Sequence, residues 1–142
     1  MNLGNGSNTV TLGNGNNNVS SGNGPVVVTA GNGNNNVNLG NGANPVTLGN
    51  GNETVNLGNG SNTVMLGNGN DNVNAGNGNN VMTTGSGRSS VNAGNGNNLV
   101  AAGLGQNIVH VGNGRNILID GDVTLNHAGD SLRQVLNDWV QF

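Results

Sequence analysis

The chain contains no cysteine and no tyrosine, one tryptophan, one phenylalanine and two prolines among its 142 residues. Without cysteine there is no disulfide framework and no thiolate metal site. Only three basic residues are present, Arg88, Arg115 and Arg133, and the net charge is −3. So little positive charge cannot neutralise a phosphate backbone, which excludes nucleic-acid binding. Charged residues make up 6% and aromatics 1% of the chain, where an ordinary globular domain carries about 25% charged residues. No apolar run approaches the roughly 18 residues that read as a membrane-spanning helix, and no charged-then-apolar leader opens the chain. The only glutamate is Glu53 and the only histidines are His110 and His127. No serine sits in a G-x-S-x-G elbow with triad partners. The chain is expected not to be an enzyme, with His110 a surface residue.

What is abundant is glycine, 28 residues, and it recurs with a period. A Gly-Asn-Gly triplet or close variant returns every nine residues, its first glycine running from Gly4, Gly13 and Gly22 through to Gly112, which makes 13 units without insertion or deletion. Such self-similarity is the signature of a stacked repeat architecture, and it argues against an unstructured low-complexity coil. The unit reads G-N-G-x-N-x-V-x-L. Position seven is Val in eleven units, with Met82 and Leu118 as exceptions. Position five is Asn in nine: Asn8, Asn17, Asn35, Asn44, Asn62, Asn80, Asn98, Asn107 and Asn116. Gly-Asn-Gly is turn chemistry, because Gly takes positive φ freely and Asn tolerates it better than most residues. The N-x-V-x-L stretch alternates with strand periodicity, which puts Val and Leu on one face. Five extended residues make no stable sheet alone, so each unit must stack on copies of itself.

A second period fixes the coil. At position eight the odd-numbered units carry Thr11, Thr29, Thr47, Met65, Thr83, Ala101 and Ile119, whereas the even-numbered units carry Ser20, Asn38, Asn56, Asn74, Asn92 and His110. Position six differs in the same way, with Thr9, Val27, Pro45, Thr63 and Val81 in odd units and Asn18, Asn36, Thr54, Asn72 and Ser90 in even ones. The true period is therefore 18 residues. Two units make one coil, and the two outer faces differ. The predicted fold is all-β: a parallel β-roll, or β-solenoid, of about six and a half coils over residues 1–120, roughly 30 Å long, with a thin Val/Leu/Ala core.

Residues 121–142 read as a C-terminal cap. Short strands are expected at Val109–Val111, Ile117–Ile119 and Val123–Leu125. A helix follows from Ser131, with Asp130 or Ser131 as N-cap and Leu132, Val135, Leu136, Trp139 and Val140 as one apolar stripe. Solenoids need such caps because an open last coil exposes backbone and core.

The units resemble the RTX nonapeptide family, whose pattern is G-G-x-G-x-D-x-U-x with U large and apolar. Gly13-Asn14-Gly15-Asn16-Asn17-Asn18-Val19 carries the likeness, which extends over about residues 3–120. The resemblance implies a parallel β-roll with calcium in its turns, secretion through a C-terminal signal and an extracellular or cell-surface location. Two departures stand out. The first family Gly is replaced by an apolar residue, as at Leu12, Leu39, Leu48, Leu57 and Leu66. The calcium-binding Asp is almost always Asn, a weaker neutral ligand. Identical amides one coil apart can hydrogen-bond in a ladder, or each Asn can cap its own turn; either removes the need for metal. The exceptions are Glu53 and Asp71, 18 residues apart. Two carboxylates about 5 Å apart repel by roughly 3 kcal/mol at an effective dielectric near 20, so a cation, a shared proton or an outward rotation must relieve them. Calcium is possible at this remnant site. A metal at Asp120, Asp122 and Asp130 has no further support.

Three functions are compatible with these residues. The leading one is a calcium-independent structural module that self-associates into a dimer or fibre, through its open N-terminal coil or through the odd face of Thr9, Thr11, Val27, Thr29, Thr47, Thr63, Val81 and Thr83. The second is an ice- or polysaccharide-binding solenoid using its Thr and Asn ladders. The third is a calcium-dependent secreted module of the RTX kind.

Overall fold

The computed structural model of the chain describes residues 1–121. They form short strands in strict succession: β1 (Asn2–Leu3), β2 (Asn8–Leu12), β3 (Asn18–Ser21), β4 (Val26–Ala30), β5 (Asn36–Leu39), β6 (Pro45–Leu48), β7 (Thr54–Leu57), β8 (Thr63–Leu66), β9 (Asn72–Ala75), β10 (Val81–Thr83), β11 (Ser90–Ala93), β12 (Leu99–Ala102), β13 (Ile108–Val111) and β14 (Ile117–Asp120). Alternate strands belong to different sheets. The first sheet runs β1-β3-β5-β7-β9-β11-β13 and the second β14-β12-β10-β8-β6-β4-β2. Every pairing is parallel and every residue faces the one 18 positions away, as in Val28↔Val46 and Val55↔Val73. The fold is the expected β-solenoid, at 18 residues per coil. Seven strands per sheet at roughly 4.8 Å spacing give a stack about 29 Å long. The odd-numbered repeat units supply the second sheet and the even-numbered units the first.

The core follows from the alternation. Position seven points inward in both sheets, and Val19, Val28, Val37, Val46, Val55, Val64, Val73, Val91 and Val100 are all fully buried, with Met82 filling the same layer. Position nine adds Ala30, Leu39, Leu48, Leu57, Leu66, Ala75, Ala93 and Ala102. Each buried Val or Leu contributes at most about 1.5–3 kcal/mol. This core lacks aromatics, and its regular one-residue-per-coil layering takes their place. Among the buried position-nine residues one is polar: Thr84, whose hydroxyl has no hydrogen-bond partner among the described residues.

Glycine is required in the turns for two reasons, both visible at Gly42. Its φ is +148°, and a Cβ there would lie 2.5 Å from the carbonyl oxygen of Gly24 in the coil below. The conformation and the close approach of stacked backbones each reject a side chain. Asn, expected to share the left-handed conformation, does not: all positive φ values among the described residues belong to Gly. The Asn of each triplet contributes through its side chain instead.

The strands expected at Val109–Val111 and Ile117–Ile119 are β13 and β14. The strand over Val123–Leu125, the helix from Ser131 and its stripe of Leu132, Val135, Leu136, Trp139 and Val140 lie outside the described residues, as do His127, Asp122 and Asp130.

Candidate functional site

The chemistry of the repeat concentrates at position five, just ahead of each strand. Here the side chain turns inward under its own Gly-Asn-Gly triplet. Asn44 is fully buried. Its Nδ2 donates to the carbonyls of Gly40 at 3.2 Å and Gly42 at 3.1 Å, and to Oδ1 of Asn62, one coil on, at 3.1 Å. Its Oδ1 accepts from the backbone N–H of Val26, one coil back, at 3.0 Å. Asn62, Asn80 and Asn98 repeat this pattern, each donating to two glycine carbonyls and to the next amide. Asn116 receives the last of these bonds and donates to the carbonyls of Gly112 and Gly114. The ladder and the local turn cap are thus one arrangement, held by the same nitrogen. In this column Val26 interrupts it, so Asn8 donates only to Gly6 among the described residues.

The column under the first sheet starts the same way. Asn17 donates to Gly13, Gly15 and Asn35 Oδ1. Asn35 donates to Gly33 and then meets Glu53, whose carboxylate accepts from the Asn35 backbone N–H at 2.8 Å and from Nδ2 at 3.4 Å. Below it, Asp71 accepts from the Glu53 backbone N–H at 3.1 Å and from the Ser89 hydroxyl at 3.5 Å. The Ser89 N–H in turn donates to Oδ1 of Asn107, whose Nδ2 reaches Gly103. Glu53 and Asp71 are therefore stacked and buried, with 1% and 3% exposure.

Carboxyl oxygens replace amide nitrogens at these two rungs, and the exchange has a cost. Gly51 and Gly69 occupy the position whose carbonyl receives an amide in the Asn units, yet neither carbonyl has a donor among the described residues. Burial pushes both carboxyl groups above their ordinary values. Hydrogen bonds from Asn35 to Glu53, and from Glu53 and Ser89 to Asp71, oppose the rise, and the Asp71 charge adds to it at Glu53. Something electropositive is needed where the amide hydrogens would be, either a proton or a cation.

The family of this pattern implies calcium, and the donor set decides where calcium fits. At the Asn rungs it does not, because an N–H₂ group points at the glycine carbonyls that would have to coordinate it. At Glu53 and Asp71 the chemistry does fit, with two carboxylates and the backbone carbonyls of Gly51 and Gly69 as oxygen donors. No group of three or more His, Asp or Glu side chains gathers among the described residues, so any site there depends on backbone oxygen.

Two further sets of Asn ladders were not anticipated from the sequence. At position two, Oδ1 of Asn5, Asn14, Asn23, Asn32 and their successors accepts the backbone N–H of the residue 18 positions later, at 2.7–3.0 Å. At position four, Asn16, Asn34, Asn52 and Asn70 do the same at 2.8–2.9 Å. Their polarity is opposite to position five, whose oxygen accepts from the coil before. Each coil boundary is thus tied in both directions. On the outer face of the first sheet, Asn56 donates to Asn38 at 2.9 Å and Asn74 to Asn56 at 3.0 Å, a ladder of half-buried amides. The 18-residue recurrence of Asn at these positions was the available signal.

The outer face of the second sheet carries Thr9, Thr11, Val27, Thr29, Thr47, Thr63, Val81 and Thr83, all exposed together with Pro45. Among its apolar residues Val27 is 40%, Met65 53% and Val81 42% exposed. His110 is exposed on the first sheet, away from the acidic pair. Among the described residues, no helix is long and apolar enough to cross a membrane.

No curated protein and no solved structure matches the chain. The family model for the RTX calcium-binding nonapeptide repeat matches it in four copies, over residues 2–25, 11–44, 47–82 and 83–118. With nearly every described coil matched and the repeat geometry in place, the chain belongs to the RTX calcium-binding nonapeptide-repeat family.

Proposed function

We propose that this chain is a non-catalytic structural module of the RTX kind, working outside the cell, that folds without calcium and associates with itself through the outer face of its second sheet. The observation that carries the reading is the Asn44–Asn62–Asn80–Asn98–Asn116 ladder. Neutral amides there make the hydrogen bonds that satisfy the turn, so folding needs no ion to cancel stacked carboxylates. The exposed Val27, Met65 and Val81 on one regular sheet face favour packing against another such face over solvation.

Sedimentation of the purified chain in chelator, across a wide concentration range, tests this reading. A folded species that grows with concentration, and that Met65→Lys or Val81→Lys returns to monomer, is the expected result. A folded but strictly monomeric wild type would remove self-association; an unfolded chain would remove calcium independence.

A calcium-binding role has one specific observation in its favour, the buried Glu53–Asp71 pair in the two units whose Gly51 and Gly69 carbonyls have no donor among the described residues. It amounts to local reinforcement by one ion of a roll that already stands.

A further inference from the structure

The even-numbered units place their turns along one edge of the solenoid, where the chain passes from the second sheet to the first. Four successive turns there carry Asn at position two, from Asn14 to Asn68, and again at position four, from Asn16 to Asn70. All eight side chains are exposed, and all eight are oriented. Each Oδ1 accepts the backbone N–H of the residue one coil on, at 2.8–2.9 Å. Only the oxygen end of an amide can meet a backbone N–H. The NH₂ end therefore faces out, and at none of the eight does it donate to another group among the described residues. An Asn free to rotate on a surface offers a donor and an acceptor alike. These offer chiefly donors, in two parallel rows, held at the strand spacing of about 4.8 Å.

The fifth turn adds charge. Position four becomes Arg88, which extends the row by donating its backbone N–H to Asn70 Oδ1 and whose side chain is exposed. The opposite edge repeats the design on a shorter scale. Its position four holds Ser7, Pro25, Ala43 and Ser61 before Asn79 and Asn97, and that row also runs into an arginine, Arg115. Both arginines among the described residues thus extend a row of outward amides, whereas Glu53 and Asp71 are buried.

We infer that the longer edge binds a linear polysaccharide bearing carboxylate groups, laid along the stack axis across the turns. Two stacked NH₂ groups one strand spacing apart can each take one oxygen of a carboxylate, and Arg88 supplies a full charge at the end of the row. From Asn16 to Arg88 the row covers four strand spacings, about 19 Å. No Trp, Tyr or Phe is present among the described residues to stack on a sugar ring. Recognition therefore rests on many weak hydrogen bonds, and a chain that engages several at once is retained where a single sugar is not. The edge lies between the two sheet faces, so its use is independent of association through the second sheet.

Titration calorimetry of the folded full-length chain with oligoglucuronates of increasing length tests this, in chelator so that calcium cannot bridge polymer and protein. Affinity should rise with each added sugar until the ligand spans the row, then level off. Uncharged oligoglucosides of the same linkage should bind at least about tenfold more weakly. Asn32→Asp with Asn68→Asp leaves an oxygen for each backbone N–H but turns the outward donor into an anion, and should weaken binding by at least about tenfold. Asn23→Asp with Asn59→Asp makes the same change of charge on the opposite edge, where position four of those turns holds no amide, and should weaken it far less. Arg88→Gln, an exposed change remote from the core, should also weaken binding. Glu53 and Asp71 lie beneath the third and fourth turns of the row, where their charge opposes an anion, so Glu53→Asn with Asp71→Asn should not weaken it. No binding at any length, equal binding of the uncharged series, equal losses from the two Asn→Asp pairs, or weaker binding after Glu53→Asn with Asp71→Asn would each overturn the inference.

Discussion

Asn44 hands a side-chain N–H to Oδ1 of Asn62 while the same nitrogen reaches the carbonyls of Gly40 and Gly42. One amide thereby links two coils and closes a turn, all at full burial. An amide brings its own electropositive hydrogens and no net charge, so it can be stacked coil upon coil without repulsion.

Asn62→Ala should test the rung. It leaves the N–H of Asn44 and the carbonyls of Gly58 and Gly60 without this partner, and takes from Asn44 Nδ2 one of its three acceptors. Buried polar groups stranded in this way cost about 1–3 kcal/mol each, partly relieved by relaxation. A loss of about 2–4 kcal/mol in denaturant melts is expected, independent of pH. Asn62→Asp keeps the acceptor but sets a buried carboxylate against two carbonyls. Its loss should be smaller in acid, where the group is protonated, than at neutral pH.

The acidic pair should give the wild type its own pH dependence. Both carboxyls titrate higher in the folded chain than their ordinary values of 4.5 for Glu53 and 3.8 for Asp71, chiefly because burial penalises the charged form. The folded state therefore holds protons that the unfolded state has released. Stability is greatest below the unfolded values and falls as pH rises through the raised folded ones. Glu53→Asn and Asp71→Asn together should flatten this dependence and raise stability at neutral pH by about 1–3 kcal/mol. Calcium should stabilise the wild type at neutral pH and leave the double variant unmoved. A pH profile unchanged by the two substitutions would show that the pair is not the source.

Thr84 offers a gain. Its buried hydroxyl has no partner in a layer otherwise filled by Leu66 and Ala102. Thr84→Val keeps the shape and removes the unsatisfied group, so it should stabilise by about 1 kcal/mol. Thermal unfolding followed by circular dichroism would show a rise of a few degrees; a fall would mean that the hydroxyl is solvated or bonded in solution.

The fold was largely legible in the residues because stacking makes chemistry periodic. The contrast between Thr11, Thr29 and Thr47 and Asn38, Asn56 and Asn74 exists only if residues 18 apart share a column, and the pairings Thr29↔Thr47 and Asn38↔Asn56 are those columns. The inward ladder at position five was legible for the same reason. Ladder and turn cap were read from the sequence as alternatives; that one amide does both was not legible, because sequence spacing does not say how many oxygens one nitrogen can reach. The ladder at position four was missed because that position is Asn in only some units, and the one at position two because Asn between glycines reads first as a backbone choice. Its left-handed conformation proved unnecessary, and its oxygen proved to be the functional atom. Over residues 122–142 the period ends, and the expected cap falls outside the described residues.

The account is tested most directly by equilibrium unfolding of the purified chain with an excess of a strong calcium chelator, and again in millimolar calcium, followed by far-ultraviolet circular dichroism. A cooperative β-type transition should be present in chelator, shifted upward only slightly by calcium. A spectrum of an unfolded chain in chelator that becomes β-structured only when calcium is added would contradict it, since the amides would then not be able to hold the turns alone.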